Sequence, residues 1–476
     1  MNDILDRAPE AGSLPATYCI VGAGPLGLIA ARAFRRYGIE VELIERNTRV
    51  GGIWDIENPG SPMYETCHFI TSKEYGGFIG YPMPTDYPDY PSWRQVYEYI
   101  ENMAVDFGLD RLITFGTEVT DARPIETDAG TYWEVTLDSG EVRAYRGVVY
   151  ACGQQWHPFV PAIPGLESFT GRAIHSKDYR ATSEFEGKRV LVIGAGNSGV
   201  DIAVDAANHA ATAFLSMRRA YHFFPKQIFG IPTPGLLNGK VPLPELPMFG
   251  ALDPQQQLDL VLATVGDLGR YGLPVPEHPV GSTQAIVSNL VLHCFAHGLL
   301  ASKPDVRSIA GSTVEFVDGT REEVDVIVMA TGYDIEIPWI AEGLIPYADG
   351  HPVFRLGTFV DGVPGLYGIG IIHPSAADAW AIFDQLFQLA AADAHAELTG
   401  ERADQMRRVR AEYRPDLKAD FPFLDVRRNA NQADLTALRA VLGELAESYG
   451  IEIPGQDDAA FYADQLVRPG DTAKSA

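Results

Sequence analysis

Two glycine-rich turns, each placed between an apolar run and an alanine-rich segment, most constrain how this chain can fold. The first turn is GAGPLG at 22–27, and the second is GAGNSG at 194–199. An apolar strand, a glycine turn and a helix in this order are typical of a βαβ unit. The sequence therefore predicts two Rossmann-like units that bind dinucleotides.

The glycines of each turn have separate structural tasks. In the first turn, Gly22 permits a tight bend and Gly24 lets the backbone approach a pyrophosphate. Gly27 allows the helix to pack closely on the strand. The N-terminus of that helix then offers N–H groups to the phosphates. The corresponding residues of the second turn are Gly194, Gly196, Asn197, Ser198 and Gly199.

The two units differ at the end of their second strand. Glu45 ends the run VELIE, and its carboxylate can bind two ribose hydroxyls, which suits FAD. The matching position of the other unit holds Ser216, followed closely by Arg218 and Arg219. An acid there would repel a 2′-phosphate, whereas arginine can bind it with two hydrogen bonds, which suits NADPH. The alternative is that Arg218 and Arg219 are a solvated surface pair.

These two sites predict an α/β fold in which an FAD domain is interrupted by an NADPH domain. Residues 1–165 are expected to form the first part of the FAD-binding domain. Residues 166–330 are expected to form the NADPH-binding domain, with a helical insertion at 222–300. Residues 331–476 complete the FAD-binding domain and add a helical C-terminal tail.

Patterns of apolar residues give expectations for the rest of the chain. Alternation predicts antiparallel strands over 113–150 and again over 312–333. Helical stretches are expected near 253–268 and 282–299, and the tail at 376–448 is expected to be largely helical.

The charge of the chain limits its partners. The formal net charge is −26 over 476 residues. This balance repels nucleic acid and anionic membrane surfaces, so neither is expected as a partner. The N-terminal segment MNDILDRAPEAGSLPAT lacks the basic start and apolar core of a signal peptide, which favours a soluble cytoplasmic protein.

The four cysteines are Cys19, Cys67, Cys152 and Cys294. None belongs to a C-x-x-C pair or has zinc-ligand spacing, so no metal site is predicted. The missing pair argues against a dithiol–disulfide reductase, and the low cysteine content fits a reducing cytoplasm.

Between the two glycine turns lies the pattern F-x-G-x-x-x-H-x-x-x-Y, formed by Phe169, Gly171, His175 and Tyr179. The chain resembles the class B flavin-dependent monooxygenases, and this pattern resembles the identifying sequence of their flavin-containing monooxygenase branch. The Baeyer–Villiger branch usually has tryptophan where Tyr179 stands. Further matches are GGIW at 51–54, SKE at 72–74, GNSGVD at 196–201 and ATGY at 330–333.

The resemblance implies an enzyme that uses FAD, NADPH and O₂ to oxygenate a small-molecule soft nucleophile, an amine nitrogen or a sulfide sulfur, through a flavin C4a-(hydro)peroxide. Trp54 and the backbone of Val119 would line FAD together with Glu45 and the first glycine turn. Ser198 would join Ser216 and the two arginines at NADPH. His175 would be a structural hydrogen-bonding residue between the domains. Family habit also favours a homodimer.

One departure concerns the loop at 68–72, here called the oxygen-side loop. The family typically has asparagine three residues before the lysine of the SKE-like run, close to the edge of the flavin that reacts with oxygen. In HFITSKE that position is Ile70, which cannot donate a hydrogen bond. Either His68 or Thr71 takes over, or the site relies on NADP⁺ and desolvation, or oxygenation is impaired.

Three alternatives therefore stay open. The first is Baeyer–Villiger oxygenation of a ketone, against which Tyr179 argues. The second, suggested by Ile70, is an uncoupled NADPH oxidase that produces hydrogen peroxide. The third is a non-catalytic flavoprotein that senses NADPH or binds partners.

Overall fold

A five-stranded parallel sheet contains the first glycine turn. The computed structural model describes residues 13–237, 252–348, 350–374 and 379–467. Every residue of the central strand is buried, because a parallel sheet is covered on both faces. The chain returns to this sheet for its last strand after passing through the second glycine turn. The strand order is Leu366–Gly368, Gly147–Tyr150, Tyr18–Val21, Val41–Glu45 and Ile113–Phe115.

A second five-stranded parallel sheet contains the second glycine turn. Its strand that leads into the turn is again buried along nearly its whole length. The two predicted βαβ units are thus present, and the α/β fold class is confirmed. The strand order is Ala301–Lys303, Thr212–Ser216, Arg189–Ile193, Val326–Met329 and Arg172–His175.

The strands predicted as antiparallel are only partly so. The middle of 113–150 forms an antiparallel sheet of Val119–Thr127, Gly130–Leu137 and Val142–Tyr145. Both ends of this range instead join the first parallel sheet, so the prediction was wrong there. The range 312–333 behaves alike: Thr313–Phe316 and Arg321–Glu323 form an antiparallel sheet with Val306–Ala310, whereas Val326–Met329 is parallel in the second sheet.

The predicted helices are partly correct as well. Pro254–Val265 confirms the helix near 253–268. The helix predicted over 282–299 is confined to Leu290–Ala296, because Ile286–Val287 pairs as a strand with Phe223–Phe224. Only residues 379–448 of the predicted helical tail are described. They are largely helical, with an irregular stretch at 413–434.

The described ranges contain eight further α-helices and four short strand pairs. The helices are Pro25–Arg36, Lys73–Gly76, Trp93–Asp106, Asn197–His209, Thr233–Leu237, Ala379–Thr399, Ala403–Glu412 and Leu435–Tyr449. The strand pairs are His157–Pro158 with Tyr333–Asp334, Gln227–Ile228 with Ile231–Pro232, Tyr347–Ala348 with His351–Pro352, and His373–Pro374 with Gln432–Ala433.

A buried ion pair joins the C-terminal tail to the first unit. Arg32, on the helix Pro25–Arg36, and Asp384, on the helix Ala379–Thr399, lie 3.0 Å apart and are both inaccessible to solvent. The guanidinium of Arg32 also faces the ring of Tyr462 at 4.2 Å. Within the described part of the chain, no helix is both long and apolar enough to cross a membrane.

Candidate active site

The glycines of the first turn are required by their surroundings. Gly22 has φ +107°, and a Cβ there would lie 2.8 Å from the carbonyl oxygen of Ala151. A Cβ on Gly27 would lie 2.0 Å from the carbonyl oxygen of Gly22. The helix begins directly after Gly24, so its free N–H groups point out of the turn. This geometry offers a site for phosphate groups.

Glu45 is buried at the end of its strand and is held by the backbone. One carboxylate oxygen accepts the amide N–H of Ala23 at 2.7 Å. The other accepts the backbone N–H of Asn47 at 2.9 Å and its side-chain amide at 2.6 Å. An ionised carboxylate has about four acceptor positions, so acceptor capacity remains for a ribose hydroxyl. The carboxylate is thus fixed beside the glycine turn.

The GGIW segment packs against the first glycine turn. A Cβ on Gly52 would lie 3.1 Å from the Cα of Gly24, so the two backbones are in close contact. Trp54 follows on a short 3-10 turn, and its ring lies 5.4 Å from that of Phe69. Val119 is buried at the start of its strand.

The oxygen-side loop combines an exposed apolar residue with unpaired buried hydroxyls. Ile70 is 38% exposed. Thr71 and Ser72 are buried, and among the described residues their hydroxyl oxygens have no hydrogen-bond partner. An unsatisfied buried hydroxyl is costly, so these two hydroxyls are able to bind a polar ligand. His68 is exposed, with its Nδ1 2.8 Å from the carbonyl oxygen of Thr66.

Lys73 fixes the end of this loop. Its ammonium donates to the carbonyl oxygen of Thr85 at 2.8 Å and to that of Tyr87 at 2.5 Å. Its backbone N–H donates to the carbonyl oxygen of Asp89 at 2.9 Å. The lysine of the SKE run is therefore an anchor for the loop, a role that the motif alone did not reveal.

The second glycine turn repeats the first but leaves open space at its middle glycine. Gly194 has φ +104°, and a Cβ there would lie 2.4 Å from the carbonyl oxygen of Ala330. A Cβ on Gly199 would lie 2.0 Å from the carbonyl oxygen of Gly194. A Cβ on Gly196 would meet no heavy atom of the described residues within 4 Å. Room for a ligand therefore exists at the start of the helix Asn197–His209.

The polar residues beside the second turn differ in how much hydrogen-bonding capacity they leave for a ligand. Ser198 is exposed at the start of the helix. The Asn197 side chain accepts the backbone N–H of Val287 at 3.0 Å, which ties the 222–300 insertion to the turn. Ser216 is buried, and its hydroxyl donates to the carbonyl oxygen of Pro304 at 2.7 Å. Only its lone pairs remain for a ligand.

The two arginines lie in different environments. Arg218 is exposed, and Arg219 is half-buried. The Nε of Arg219 is buried and has no partner among the described residues. Burial lowers the pKa of Arg219, Tyr221 opposes this effect, and the nearby charges of Arg218 and Arg428 add to it. Arg428 belongs to the tail, where no motif pointed to it.

His175 links two strands rather than facing open space. It is buried, and its Nε2 lies 3.0 Å from the carbonyl oxygen of Gly332. Its Nδ1 accepts the backbone N–H of Lys177 at 3.1 Å, so Nε2 carries the proton. Burial lowers the pKa of His175, which favours this neutral tautomer. The ring also packs edge-on against Tyr333 at 5.1 Å.

Tyr179, four positions after His175, belongs to a group of five polar residues, here called the acid–tyrosine cluster. Its members are Tyr64, Thr66, Tyr179, Asp201 and Asp205. Asp205 accepts the hydroxyl of Tyr179 at 2.9 Å and that of Thr66 at 2.6 Å. Asp201 accepts the hydroxyl of Tyr64 at 3.3 Å. The cluster connects the helix of the second turn to the segment leading into the oxygen-side loop. Sequence reasoning singled out Tyr179 and, as the last residue of the GNSGVD match, Asp201.

In the ranges that the structure describes, no three histidine, cysteine, aspartate or glutamate residues form a group able to hold a metal ion.

Comparisons with known proteins define the class. Residues 16–359 match the family described as flavin-binding monooxygenase-like, so the chain belongs to that family. The resemblance inferred from the motifs is confirmed, and the protein is an FAD-containing, NADPH-dependent monooxygenase.

Individual relatives agree with this assignment. The chain is 32% identical over 336 residues to indole-3-pyruvate monooxygenase YUCCA1 of Oryza sativa subsp. japonica, covering 68% of this chain and 78% of the relative. It is 29% identical over 452 residues to flavin-containing monooxygenase 5 of Rattus norvegicus, covering 90% and 84%. The structure of OTEMO in complex with FAD and NADP superposes with a TM-score of 0.66 at 20% identity, covering 92% of this chain and 99% of that one.

Proposed function

We propose that this monooxygenase transfers one oxygen atom of O₂ to a soft nucleophile, an amine nitrogen or a sulfide sulfur. The observation that carries this choice over ketone oxygenation is the tyrosine at position 179. Its ring is fully buried and stacks on Phe185 at 4.9 Å, and its hydroxyl donates to Asp205. The Baeyer–Villiger branch usually has tryptophan there, whose single donor is placed differently on a larger ring.

The first glycine turn is proposed as the FAD site. Gly22, Gly24 and Gly27 bring the helix N-terminus to the pyrophosphate, and Glu45 is fixed where a ribose hydroxyl would lie. Trp54 and the backbone of Val119 complete the proposed contacts. The unpaired buried hydroxyls of the oxygen-side loop support a large polar ligand there. When bound, FAD accepts a hydride from NADPH and passes electrons to O₂.

The second glycine turn is proposed as the NADPH site. The open space at Gly196 and the exposed Ser198 support a diphosphate at the helix N-terminus. Arg218 and Arg219 would bind the 2′-phosphate, and the unpartnered Nε of Arg219 supports this role. Gly194, Asn197, Gly199 and Ser216 shape the turn and the strand end beside them.

The domain division is proposed on the same basis. The FAD-binding domain comprises residues 1–165 and 331–476, and the NADPH-binding domain comprises 166–330 with the insertion at 222–300. The strand Leu366–Gly368 in the first sheet and the five strands of the second sheet support this division.

The protein's own contribution is positioning and the exclusion of water rather than acid–base catalysis by a triad. Phe69, a residue of the oxygen-side loop, lies between Trp54 and Trp380, with ring centroids 5.4 and 5.2 Å away, and the three rings form an apolar wall. An enclosed apolar site protects a reactive oxygen species from water. Of the three residues predicted in this loop, Thr71 is the one placed to give a hydrogen bond, since Ile70 has no donor and His68 is exposed. The adjacent Ser72 has a second buried hydroxyl, likewise unpaired within the described ranges.

A second candidate function is favoured by Ile70. Without the usual side-chain donor, electrons from NADPH would reach O₂ with release of hydrogen peroxide. Such an uncoupled NADPH oxidase would consume NADPH at the same rate with or without an organic substrate.

A cytoplasmic location is also proposed. All four cysteines are free, and Cys19, Cys67 and Cys294 are buried. Free thiols are typical of a reducing compartment. Titration of denatured protein from the native cells should give four thiols, and fewer would contradict this location.

Product analysis with a panel of amines, sulfides and ketones tests the function. The purified yellow protein should consume NADPH far faster than NADH and form an N-oxide, hydroxylamine or S-oxide. Esters or lactones from ketones as the only products would favour the Baeyer–Villiger alternative. Peroxide formation equal to NADPH consumption for every compound would establish the oxidase.

A further inference from the structure

A short turn of the C-terminal tail, Arg427–Asn429, is docked on the insertion beside the proposed NADPH site. Asn429 is 3% exposed, and its amide donates to the carbonyl oxygens of Ser282 at 2.8 Å and Leu424 at 3.0 Å. The side-chain Oδ1 of Asn429 accepts a hydrogen bond from the hydroxyl of Thr283 at 3.2 Å. The turn is therefore held rigidly, although it lies more than 200 positions beyond the second glycine turn.

The two arginines of this turn have different partners. Arg427 forms an ion pair with Asp334 and covers the ring of Phe159 at 4.1 Å. Arg428 instead donates to the neutral side-chain oxygen of Gln284 at 2.5 Å. Among the described residues, no carboxylate lies within ion-pair distance of Arg428. Its positive charge is thus oriented but not neutralised.

Arg219 and Arg428 approach the same tyrosine. Their guanidinium carbons lie 5.9 and 6.0 Å from the ring centroid of Tyr221. The Nε of Arg219 is buried and unpartnered in the described ranges, where no carboxylate forms an ion pair with either cation. Two positive charges held near each other repel, and an anion bound between them would remove this repulsion.

We propose that Arg428 and Arg219 together bind one phosphate group of NADPH, so that the C-terminal tail completes the NADPH site. Guanidinium groups bind phosphate oxygens through paired, charge-assisted hydrogen bonds, and two of them suit a doubly charged phosphate. This inference rests on the proposed placement of NADPH at the second glycine turn. It adds a specificity-determining residue from a part of the chain that carries no recognised motif.

Direct binding by the FAD-loaded protein tests the inference without relying on turnover. Calorimetry would compare 2′-phospho-ADP-ribose with ADP-ribose, which differ only in the 2′-phosphate, for the unmodified protein and for Arg428→Ala, Arg219→Ala and Arg408→Ala. Arg408 is exposed on a neighbouring tail helix, so Arg408→Ala controls for the loss of one positive charge. Far-UV circular dichroism and FAD content would establish that each variant is folded.

We expect Arg428→Ala and Arg219→Ala each to raise the Kd of 2′-phospho-ADP-ribose by roughly tenfold, because each loses about one charge-assisted contact. Arg408→Ala should leave the Kd unchanged, and Arg428→Lys should restore part of the affinity. A loss confined to 2′-phospho-ADP-ribose assigns the 2′-phosphate, and a loss with both ligands assigns the diphosphate. An unchanged Kd for Arg428→Ala beside a raised Kd for Arg219→Ala would overturn the role of Arg428 alone. Unchanged values for both would overturn the proposed NADPH site as well.

Discussion

At the scale of single residues, Ile70 and Thr71 show where sequence reasoning ended. Counting back from Lys73 predicts that Ile70 occupies the position where the family usually has a hydrogen-bond donor. The sequence could not show that Ile70 is exposed while the neighbouring hydroxyl of Thr71 is buried and unpaired. Exposure of adjacent loop residues depends on tertiary packing, here on Phe69 and Lys73, and not on local pattern.

Substituting Ile70→Asn is expected to improve coupling. An added amide donor near the oxygen-reacting edge contributes about 1 kcal/mol, which is roughly fivefold in a competing rate. The ratio of hydrogen peroxide formed to NADPH consumed should therefore fall by up to that factor, measured with a peroxidase-coupled assay.

Val105→Asn is the matched control, because Val105 is 54% exposed on the helix Trp93–Asp106. It should leave the ratio unchanged. An equal ratio in Ile70→Asn and the unmodified protein would show that Ile70 does not occupy the position inferred for it.

Asp201 provides a test by pH. Burial raises its pKa to about 6, against the attraction of Lys226. Because the pKa of Asp201 is raised in the folded state, protonation of Asp201 contributes to the free energy of unfolding. This contribution is fully present below the pKa of the unfolded state, near 4, and is lost as the pH rises through about 6. Asp201→Asn should therefore stabilise the protein by about 1–2 kcal/mol at pH 7, with no difference near pH 4.

Urea unfolding at several pH values measures this effect. Asp259→Asn, at an exposed position, is the control and should not change the pH dependence. A stability difference for Asp201→Asn that is the same at pH 4 and pH 7 would contradict the ionisation account.

At the scale of elements, the glycine turns were predictable because strand, turn and helix are adjacent in sequence. The short strands were not. The apolar runs at 113–115 and 147–150 have no pattern that distinguishes parallel from antiparallel pairing. The partner of each strand is set by long-range packing. The same holds for residues 286–287, which were expected in a helix but pair as a strand with residues 223–224.

Gly196 and Gly199 belong to the same motif but differ in the space around their Cα atoms. Gly196→Ala should leave the melting temperature within a few degrees, because its Cβ would enter open space. It should weaken NADPH binding at least tenfold, since the methyl group would occupy the room left for the diphosphate. Thermal unfolding and calorimetric titration would measure the two effects on the same protein.

Gly199→Ala is the contrasting variant. Its Cβ would lie 2.0 Å from a backbone oxygen, so it should be destabilised even without nucleotide. A Kd of NADPH for Gly196→Ala equal to that of the unmodified protein would contradict the placement of NADPH at this turn.

At the scale of the whole molecule, the tail is the part that sequence reasoning described least. Its helices were expected, but its contacts were not. The ion pair of Arg32 with Asp384 joins residues 352 positions apart, and Arg428 reaches the second unit from the same tail. Neither contact follows a local period, so only the folded structure reveals them.

Asp384→Ala tests how firmly the tail supports the first unit. Removing the carboxylate leaves Arg32 buried and uncompensated, which costs about 3–5 kcal/mol. The free energy of unfolding in urea should fall by that amount. Asp404→Ala, which removes an exposed pair with Arg407, should change it by less than about 1 kcal/mol. Equal effects of the two substitutions would contradict the structural role of the buried pair.

The central claim is that electrons from NADPH drive the transfer of oxygen from O₂ to a soft nucleophile. Turnover under ¹⁸O₂ with a thioether and a tertiary amine, followed by mass spectrometry, measures this most directly. The account predicts one ¹⁸O atom in the S-oxide or N-oxide, with NADPH consumption equal to product plus peroxide. NADPH consumption matched entirely by peroxide, with no labelled product, would contradict it.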